Sequence, residues 1–339
     1  FTSEPNVAFK RQPIALGGLE PISIQGQDVD FENIDELDED AALGIGKVED
    51  FTWKGMLDFM ACTECGRCQS QCPAWNTEKP LSPKLLIMGL RDHAFAKGPY
   101  LIADSDEKRD GLSDEVKAEA QRPLIAANPN GYPHAGDGAQ GGVIDPDVLW
   151  SCTTCGACVQ QCPVDIEHVD HILNLRRYQV LMESEFPTEA GVMLNNLDHA
   201  GDPWGAGARA RTTWIGEMDF DVRVFGADGE DTIPEDVEYL FWVGCAGAVD
   251  DKAKKTTKAV ATLLHEAGVE FMVLGDGETC TGDPARRLGN EFSFQMLGQQ
   301  NVETLNEVGA RKIVATCAHC FNTLANEYPQ LGGNYEVVH

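Results

Sequence analysis

From Phe51 onward apolar residues recur at helical spacing. Trp53, Met56, Leu57, Phe59 and Met60 stand one helical turn apart just before a cysteine run, which predicts a helix packed on a core. The residues before it show little such period. Asp28 to Asp50 holds ten acidic residues against the single Lys47, so residues 1–50 read as an extended, solvated acidic segment, a charged peripheral strap. A second helical region is expected from about Asp145 through Glu183, broken by another cysteine run. Between the two lies a long insertion, residues 104–142. It ends in the turn-rich Asn128-Pro129-Asn130-Gly131-Tyr132-Pro133 and a glycine-rich stretch, and reads as an exposed excursion. Residues 51–186 thus make one helical domain.

The last hundred residues alternate in period. Strands are expected at Val237–Val243, Val269–Leu274 and Lys312–Thr316, with helical segments at Asp251–Ala267, Asp283–Gly309 and Ala318–Glu327. Strands separated by helices imply a parallel sheet, so residues 236–339 read as an α/β domain. The closing Tyr335-Glu336-Val337-Val338-His339 reads as a strand cut short. Residues 187–235, rich in Gly, Asp and Pro with isolated Trp204 and Trp214, read as an ordered linker laid over both neighbours. The fold class is α followed by α/β.

Charge and composition narrow the chemistry. Of 339 residues, 26 are Lys or Arg and 55 Asp or Glu, a net charge of −29 that repels phosphate backbones and excludes nucleic acid as a partner. No apolar run approaches the ~18 residues of a membrane helix; the longest is Tyr239 to Val249. The chain begins at Phe1 with no leader-like segment and reads as a fragment, so membrane helices are expected outside it. Neither a G-x-G-x-x-G after a strand nor a P-loop is present, which assigns any flavin to a partner.

The 12 cysteines carry the chemistry. Cys62-Thr-Glu-Cys65-Gly-Arg-Cys68-Gln-Ser-Gln-Cys72-Pro73 and Cys152-Thr-Thr-Cys155-Gly-Ala-Cys158-Val-Gln-Gln-Cys162-Pro163 repeat one spacing. Two-residue gaps let three thiolates curl around one iron-sulfur cube, and the fourth, beyond a longer gap, reaches the other cube. One [4Fe-4S] cluster is therefore assigned to Cys62, Cys65, Cys68 and Cys162, and a second to Cys152, Cys155, Cys158 and Cys72. Crossed ligation brings the clusters close together. Gly66 and Gly156 hold matching places where a side chain would crowd the cube or the turn. Zinc sites and disulfides suit this spacing poorly.

Cys245, Cys280, Cys317 and Cys320 remain. The first three follow the carboxyl ends of the expected parallel strands, where open α/β sheets place ligands, and Cys317-Ala-His-Cys320 opens a helix. Together they predict a third metal centre. The segments Phe241-Trp-Val-Gly-Cys245, Gly277-Glu-Thr-Cys280-Thr-Gly282 and Thr316-Cys-Ala-His-Cys-Phe-Asn-Thr-Leu-Ala-Asn-Glu-Tyr328 resemble the cysteine-rich CCG domain of heterodisulfide-reductase-related proteins. With the twin runs and Asn195-Asn-Leu-Asp-His-Ala-Gly-Asp-Pro-Trp204-Gly205, the likeness covers roughly residues 50 to 339. It is to the iron-sulfur part of bacterial membrane-bound electron-transfer-flavoprotein:menaquinone oxidoreductases. One departure stands out: the family's namesake has two adjacent cysteines before Gly, and here Thr281 replaces the second. Four ligands suit either a four-iron cubane or a linear [3Fe-4S] chain, with Cys317 and Cys320 at one end and Cys245 with Cys280 at the other. Thr281 is left a hydroxyl to offer a cluster sulfide.

The resemblance implies a function. Electron-transfer flavoprotein, loaded in fatty-acid β-oxidation, would donate electrons, and menaquinone would accept them. A membrane domain outside this chain would carry haem b and the quinone site, placing the chain at the cytoplasmic face of the plasma membrane. Three alternatives stand beside this reading: disulfide or heterodisulfide reduction at the third centre, an iron-sulfur subunit serving a hydroxy-acid or glycerol-3-phosphate dehydrogenase, and a zinc-stabilised scaffold. No catalytic side chain is assigned. His168 and His171 are expected to be solvated, His319 is open between tuning a cluster, passing a proton and simple packing, and Lys252, Lys254, Lys255 and Lys258 read as a solvated helix face.

Overall fold

The structure, a computed structural model, describes residues 18–24, 27–31, 33–34, 37–38, 41–128 and 141–339. They fall into two compact units divided between Glu185 and Phe186.

In the first unit, β1 (Ser23–Ile24) pairs antiparallel with β2 (Gln27–Asp28). The acidic segment is pinned by the apolar side chains it does have: Leu19, Ile22, Ile45 and Val48 are buried. Helix α1 (Trp53–Ala61) begins where Thr52 Oγ1 accepts the Gly55 amide at 3.1 Å, and ends at the first cysteine. The short α2 (Arg67–Ser70) and α3 (Pro73–Asn76) belong to the first cysteine run. Helix α4 (Pro83–Ile102), capped by Ser82, buries Leu86, Leu90, Ala94 and Lys97 at steps of three to four, and Lys97 reaches out to Glu49 at 2.8 Å.

The described part of the insertion carries two short helices with no buried residue, and it is held to the unit at a few points. Helices α5 (Asp106–Asp110) and α6 (Asp114–Ala120) start on Ser105 and Ser113 caps, and α6 packs on α4, where Glu119 meets the buried His93 ring at 2.6 Å. Leu124 is buried and its carbonyl accepts the Ile144 amide at 2.8 Å, so the insertion is stitched at both ends. The rest of the turn-rich stretch, 129–140, lies outside the described residues. Helix α7 (Pro146–Trp150) precedes the second cysteine run and α8 (Ala157–Gln161) lies within it. Helix α9 (His168–Leu181) then buries ten of its fourteen residues, which makes it the unit's central helix rather than an amphipathic cover.

The second unit is built on five parallel strands, β3 (Arg223–Val224), β4 (Tyr239–Trp242), β5 (Phe271–Val273), β6 (Lys312–Ala315) and β7 (Glu336–Val338), in the order β3-β5-β4-β6-β7. Alternation along β4 sends Leu240 and Trp242 into one core and Phe241 into the other, so both faces are buried, as parallel sheets require. The stretch read as a linker contributes helix α10 (Thr188–Ala200), edge strand β3 and the fully buried Trp214 to this same unit; Trp204 stays half exposed. Helices α11 (Gly244–Val249) and α12 (Asp251–Glu266) follow β4, with Lys258 of the lysine-rich face paired to Glu217 at 2.7 Å. The long helical segment after β5 breaks in two, α13 (Asp283–Leu288) and α14 (Glu291–Glu307), because Gly289 adopts φ +102° and Asn290 caps the second piece. After β6, α15 (Ala318–Asn322) widens into a π-helical turn over Thr323–Glu327.

A buried ion network fixes that region. Arg286 contacts Glu327 at 3.2 Å, Gln330 at 2.8 Å and the Phe294 ring at 4.2 Å, while Arg287 links Glu327 to Asp283. Removing one partner leaves buried carboxylates uncompensated, so Arg286→Met is expected to destabilise the second unit by about 3–5 kcal/mol, read from the shift of its denaturant midpoint. In the first unit, burial and the nearby Glu20 carboxylate push Asp170 up to about 8. The folded protein therefore keeps a proton that the unfolded chain releases above about 4, and stability falls as pH rises through that window. Asp170→Asn keeps the acceptor for the Glu20 amide (3.1 Å) and is expected to raise the melting temperature more at pH 8 than at pH 6.

Candidate metal centres

The two cysteine runs fold into the same loop. Gly66 and Gly156 have φ of 76° and 74°, and the residues two places before them, Glu64 and Thr154, are also left-handed at 58° and 53°. Alternating handedness turns successive amides toward one side of the loop and makes an anion-binding concavity. The Thr154 amide donates to Cys152 Sγ at 3.3 Å, and the Glu64 amide bonds the Cys62 thiol in the matching place. A Cβ on Gly66 would meet no protein atom within 4 Å, so among protein atoms backbone conformation, not crowding, restricts that site to glycine.

Each run contributes to two pockets. Cys62, Cys65 and Cys68 line one of about 290 Å³ together with Cys162, whereas Cys152, Cys155 and Cys158 line another of about 300 Å³ together with Cys72. The fourth cysteine of each run thus sits in the pocket of the other. Cys68 and Cys158 share one small core cluster with Leu173, so the two pockets adjoin. In each loop the middle cysteine, Cys65 or Cys155, is exposed, and the other cysteines are buried or half-buried.

The donor set fits a polynuclear cation. Burial pushes Cys68 up to about 11, and it raises Cys62, Cys152 and Cys158 as well. Thiolates crowded in such a space require a compensating positive charge. Among the described residues no three His, Cys, Asp or Glu side chains converge on one point as a single ion demands; the cysteines stand around a space instead. A zinc ion would draw its thiolates in to about 2.3 Å.

The remaining four cysteines gather at the carboxyl edge of the sheet. Strand β4 lies between β5 and β6, so the loops after these three strands, carrying Cys245, Cys280 and Cys317, diverge around the point where strand order reverses. Cys245 Sγ donates to Cys280 Sγ at 3.6 Å, the Cys317 and Cys320 thiols bond each other, and Cys320 feels the charges of Cys245 and Cys280. The set is therefore two close pairs facing one another. Gly244, at φ +74°, lets the chain pass Cys320: a Cβ there would lie 3.1 Å from its Sγ. Thr281 is buried, and exposed His319 bonds the Cys317 thiol, which raises the ring's pKa.

Several participants are invisible to spacing rules. His168 and His171 are buried, not solvated, because α9 is interior. His168 lines the first pocket, and His171 Nε2 meets Asp58 at 2.9 Å, whose other oxygen takes Lys54. Arg91 pairs with Glu64 at 2.9 Å beside Cys62, and Arg176 donates to the Leu149 and Cys152 carbonyls at 2.8 Å. Arg176 stands beside Arg177 in a helix of mixed polarity, so nothing in its spacing singles it out.

Gly66→Ala is expected to cost about 1–2 kcal/mol through its positive φ, read from the shift of the denaturant midpoint. Gly244→Ala adds a displaced Cys320 and should lose the iron of the third set only, as read by iron and acid-labile sulfide per chain.

Comparison with known proteins agrees with this layout. Residues 61–166 match a family described as a 4Fe-4S dicluster domain, and residues 239–325 match the cysteine-rich CCG domain. Over 311 residues the chain is 39% identical to an EtfAB:quinone oxidoreductase of Syntrophomonas wolfei, covering 89% of this chain and 41% of the relative. It is 39% identical to a probable iron-sulfur-binding oxidoreductase, FadF, of Bacillus subtilis over 91% of this chain and 44% of that protein. A probable membrane-anchored ferredoxin of Chromohalobacter salexigens is 35% identical over 98% of this chain and 46% of its own length. The chain thus spans less than half the length of these relatives, and no solved structure matches it. A 4Fe-4S dicluster domain thus spans the first two cysteine runs and a cysteine-rich CCG domain spans the remaining four cysteines, and relatives similar to most of this chain's length are named as oxidoreductases.

Proposed function

We propose that this chain is the iron-sulfur relay of a membrane-associated oxidoreductase that takes electrons from reduced electron-transfer flavoprotein, charged in fatty-acid β-oxidation, and delivers them to menaquinone. The observation that carries this reading is the exchange of fourth cysteines between two adjoining pockets, with a third four-cysteine set at the edge of the sheet. Cys62, Cys65, Cys68 and Cys162 hold one [4Fe-4S] cluster, and Cys152, Cys155, Cys158 and Cys72 hold the other. Cys245, Cys280, Cys317 and Cys320 hold a linear [3Fe-4S] chain, a choice supported by their arrangement as two pairs and by Thr281 in place of a fifth thiol. When bound, such centres supply one-electron transfer at potentials set by ligation, charge and exposure.

The residues of this chain position and insulate. Arg176 anchors the start of the second loop through the Cys152 carbonyl, and left-handed Glu64 and Thr154 aim amides at the thiolates. Among the described residues no helix is long and apolar enough to cross a membrane. In this reading haem b, the quinone site and the anchor at the cytoplasmic membrane face lie outside this chain. The relative named as a membrane-anchored ferredoxin supports that placement.

Anaerobically purified full-length protein is expected to hold about eleven iron atoms per chain in this region, beyond haem iron. Twelve would favour a third four-iron site, and eight would remove the third centre. Reduced electron-transfer flavoprotein should bleach the iron-sulfur absorbance, and a menaquinone analogue should restore it. Reoxidation by a disulfide but not by the quinone would overturn the reading in favour of disulfide reduction.

A further inference from the structure

The third cysteine set has a cation built against it whose capacity is only half used. Arg211 lies in the 3₁₀ turn Ala208–Thr212, which packs on the start of α11 and on the turn Gly275–Gly277, the segments that carry Cys245 and lead to Cys280. Its side chain is 4% exposed. Arg211 Nη1 donates to Glu278 Oε1 at 2.8 Å. Glu278 is itself buried and accepts the Val243 amide at 3.0 Å and the Gly244 amide at 2.7 Å, so it ties the cation to the turn that delivers Cys245. Arg211 Nη2, in contrast, is buried with no partner in the chain.

An unpartnered guanidinium nitrogen is costly where water cannot reach it, more so than a neutral donor because the group is charged. A ligand carrying an acceptor at that position would complete it. The groups facing this cation are the carboxylate of Glu278, already used on one edge, and the thiols of Cys245 and Cys280, both of which its charge favours as thiolates. Four thiolates with sulfide-bridged iron carry net negative charge and expose sulfur acceptors.

Taking the third centre as given by the functional reading above, we propose that Arg211 spans Glu278 and that centre. Its Nη1 edge is fixed by the carboxylate, and its free Nη2 donates a charge-assisted hydrogen bond to sulfur of the third iron-sulfur centre, which eases that centre's reduction. Glu278 orients the guanidinium and holds the Cys245 turn at the same time. Reduction adds an electron to an already anionic group, so a fixed cation at hydrogen-bond range stabilises the reduced state more than the oxidised one. The arrangement is specific to the third set. Arg91 is part exposed and paired with Glu64, and Arg176 spends its donors on carbonyls.

The test compares full-length wild type, Arg211→Met and Arg211→Lys by EPR-monitored redox titration, with iron and sulfide counted per chain. With iron retained, the Met variant should be at least tenfold harder to reduce at the third centre at fixed potential, a 59 mV drop for a one-electron couple. The Lys variant, which keeps the charge but not the fork, should recover most of that shift, and the other two centres should not move. An unchanged third-centre midpoint in iron-replete Met variant overturns the proposal. So does a Lys variant displaced as far as Met. Should the Met variant fail to fold, the Lys variant decides: a third-centre signal altered in width or position with a near-native midpoint supports the proposal, and a native signal overturns it. A wild type lacking both the third signal and its iron removes the centre itself, a failure of the functional reading that iron counting recognises before any variant is made.

Discussion

Thiolates repel, and twelve of them gathered into three partly dry spaces is the condition everything else in this chain serves. Ionising one cysteine beside another in low dielectric is unfavourable, which is why burial pushes Cys68, Cys152 and Cys158 upward. Iron supplies the compensating charge, and metal binding and folding of the loops are then one event. The acidic composition works against holding further negative charge, so local exceptions to it acquire weight. Each set has a guanidinium at hand: Arg91 beside Cys62, Arg176 under Cys152 and Arg211 near Cys245.

The two units meet this condition by different means. In the first, conformation is repeated: two loops curl through left-handed residues at the same places, and α9 supplies a central buried helix behind them. In the second, topology does the gathering. A sheet whose middle strand is flanked by the two that follow it brings three distant loops to one edge with no sequence repeat at all. The ion network of Arg286, Arg287, Asp283 and Glu327 then fastens the segments after Cys280 and Cys320 to each other.

Most of this was legible where the signal was periodic or punctuated. The strands and the helix Asp251–Glu266 came from alternation and three-to-four spacing, and the grouping of cysteines followed from gap lengths. What escaped were features decided by tertiary burial. His168 and His171 at i, i+3 look like a solvated face until α9 proves buried on nearly all sides. The Gly- and Pro-rich stretch 187–235 masks a helix and an edge strand, because turn residues mark boundaries but not what lies between them. The helices of the insertion, capped by Ser105 and Ser113, are too short for a period to announce them. Glu64 and Thr154 carried no hint, since only glycine advertises a left-handed backbone.

The exposure of Cys65 and Cys155 has a consequence of its own. In the ligation proposed above, a sulfur at the molecular surface brings the electronic edge of its centre to solvent, so a docked redox protein needs no conducting path through the polypeptide. Exchange can then be governed by the shape and charge of a partner's face alone. The same windows admit dioxygen and peroxide, whose attack on sulfur would begin at these two positions. Under that ligation, electron exchange with a partner and vulnerability to air share a single structural origin.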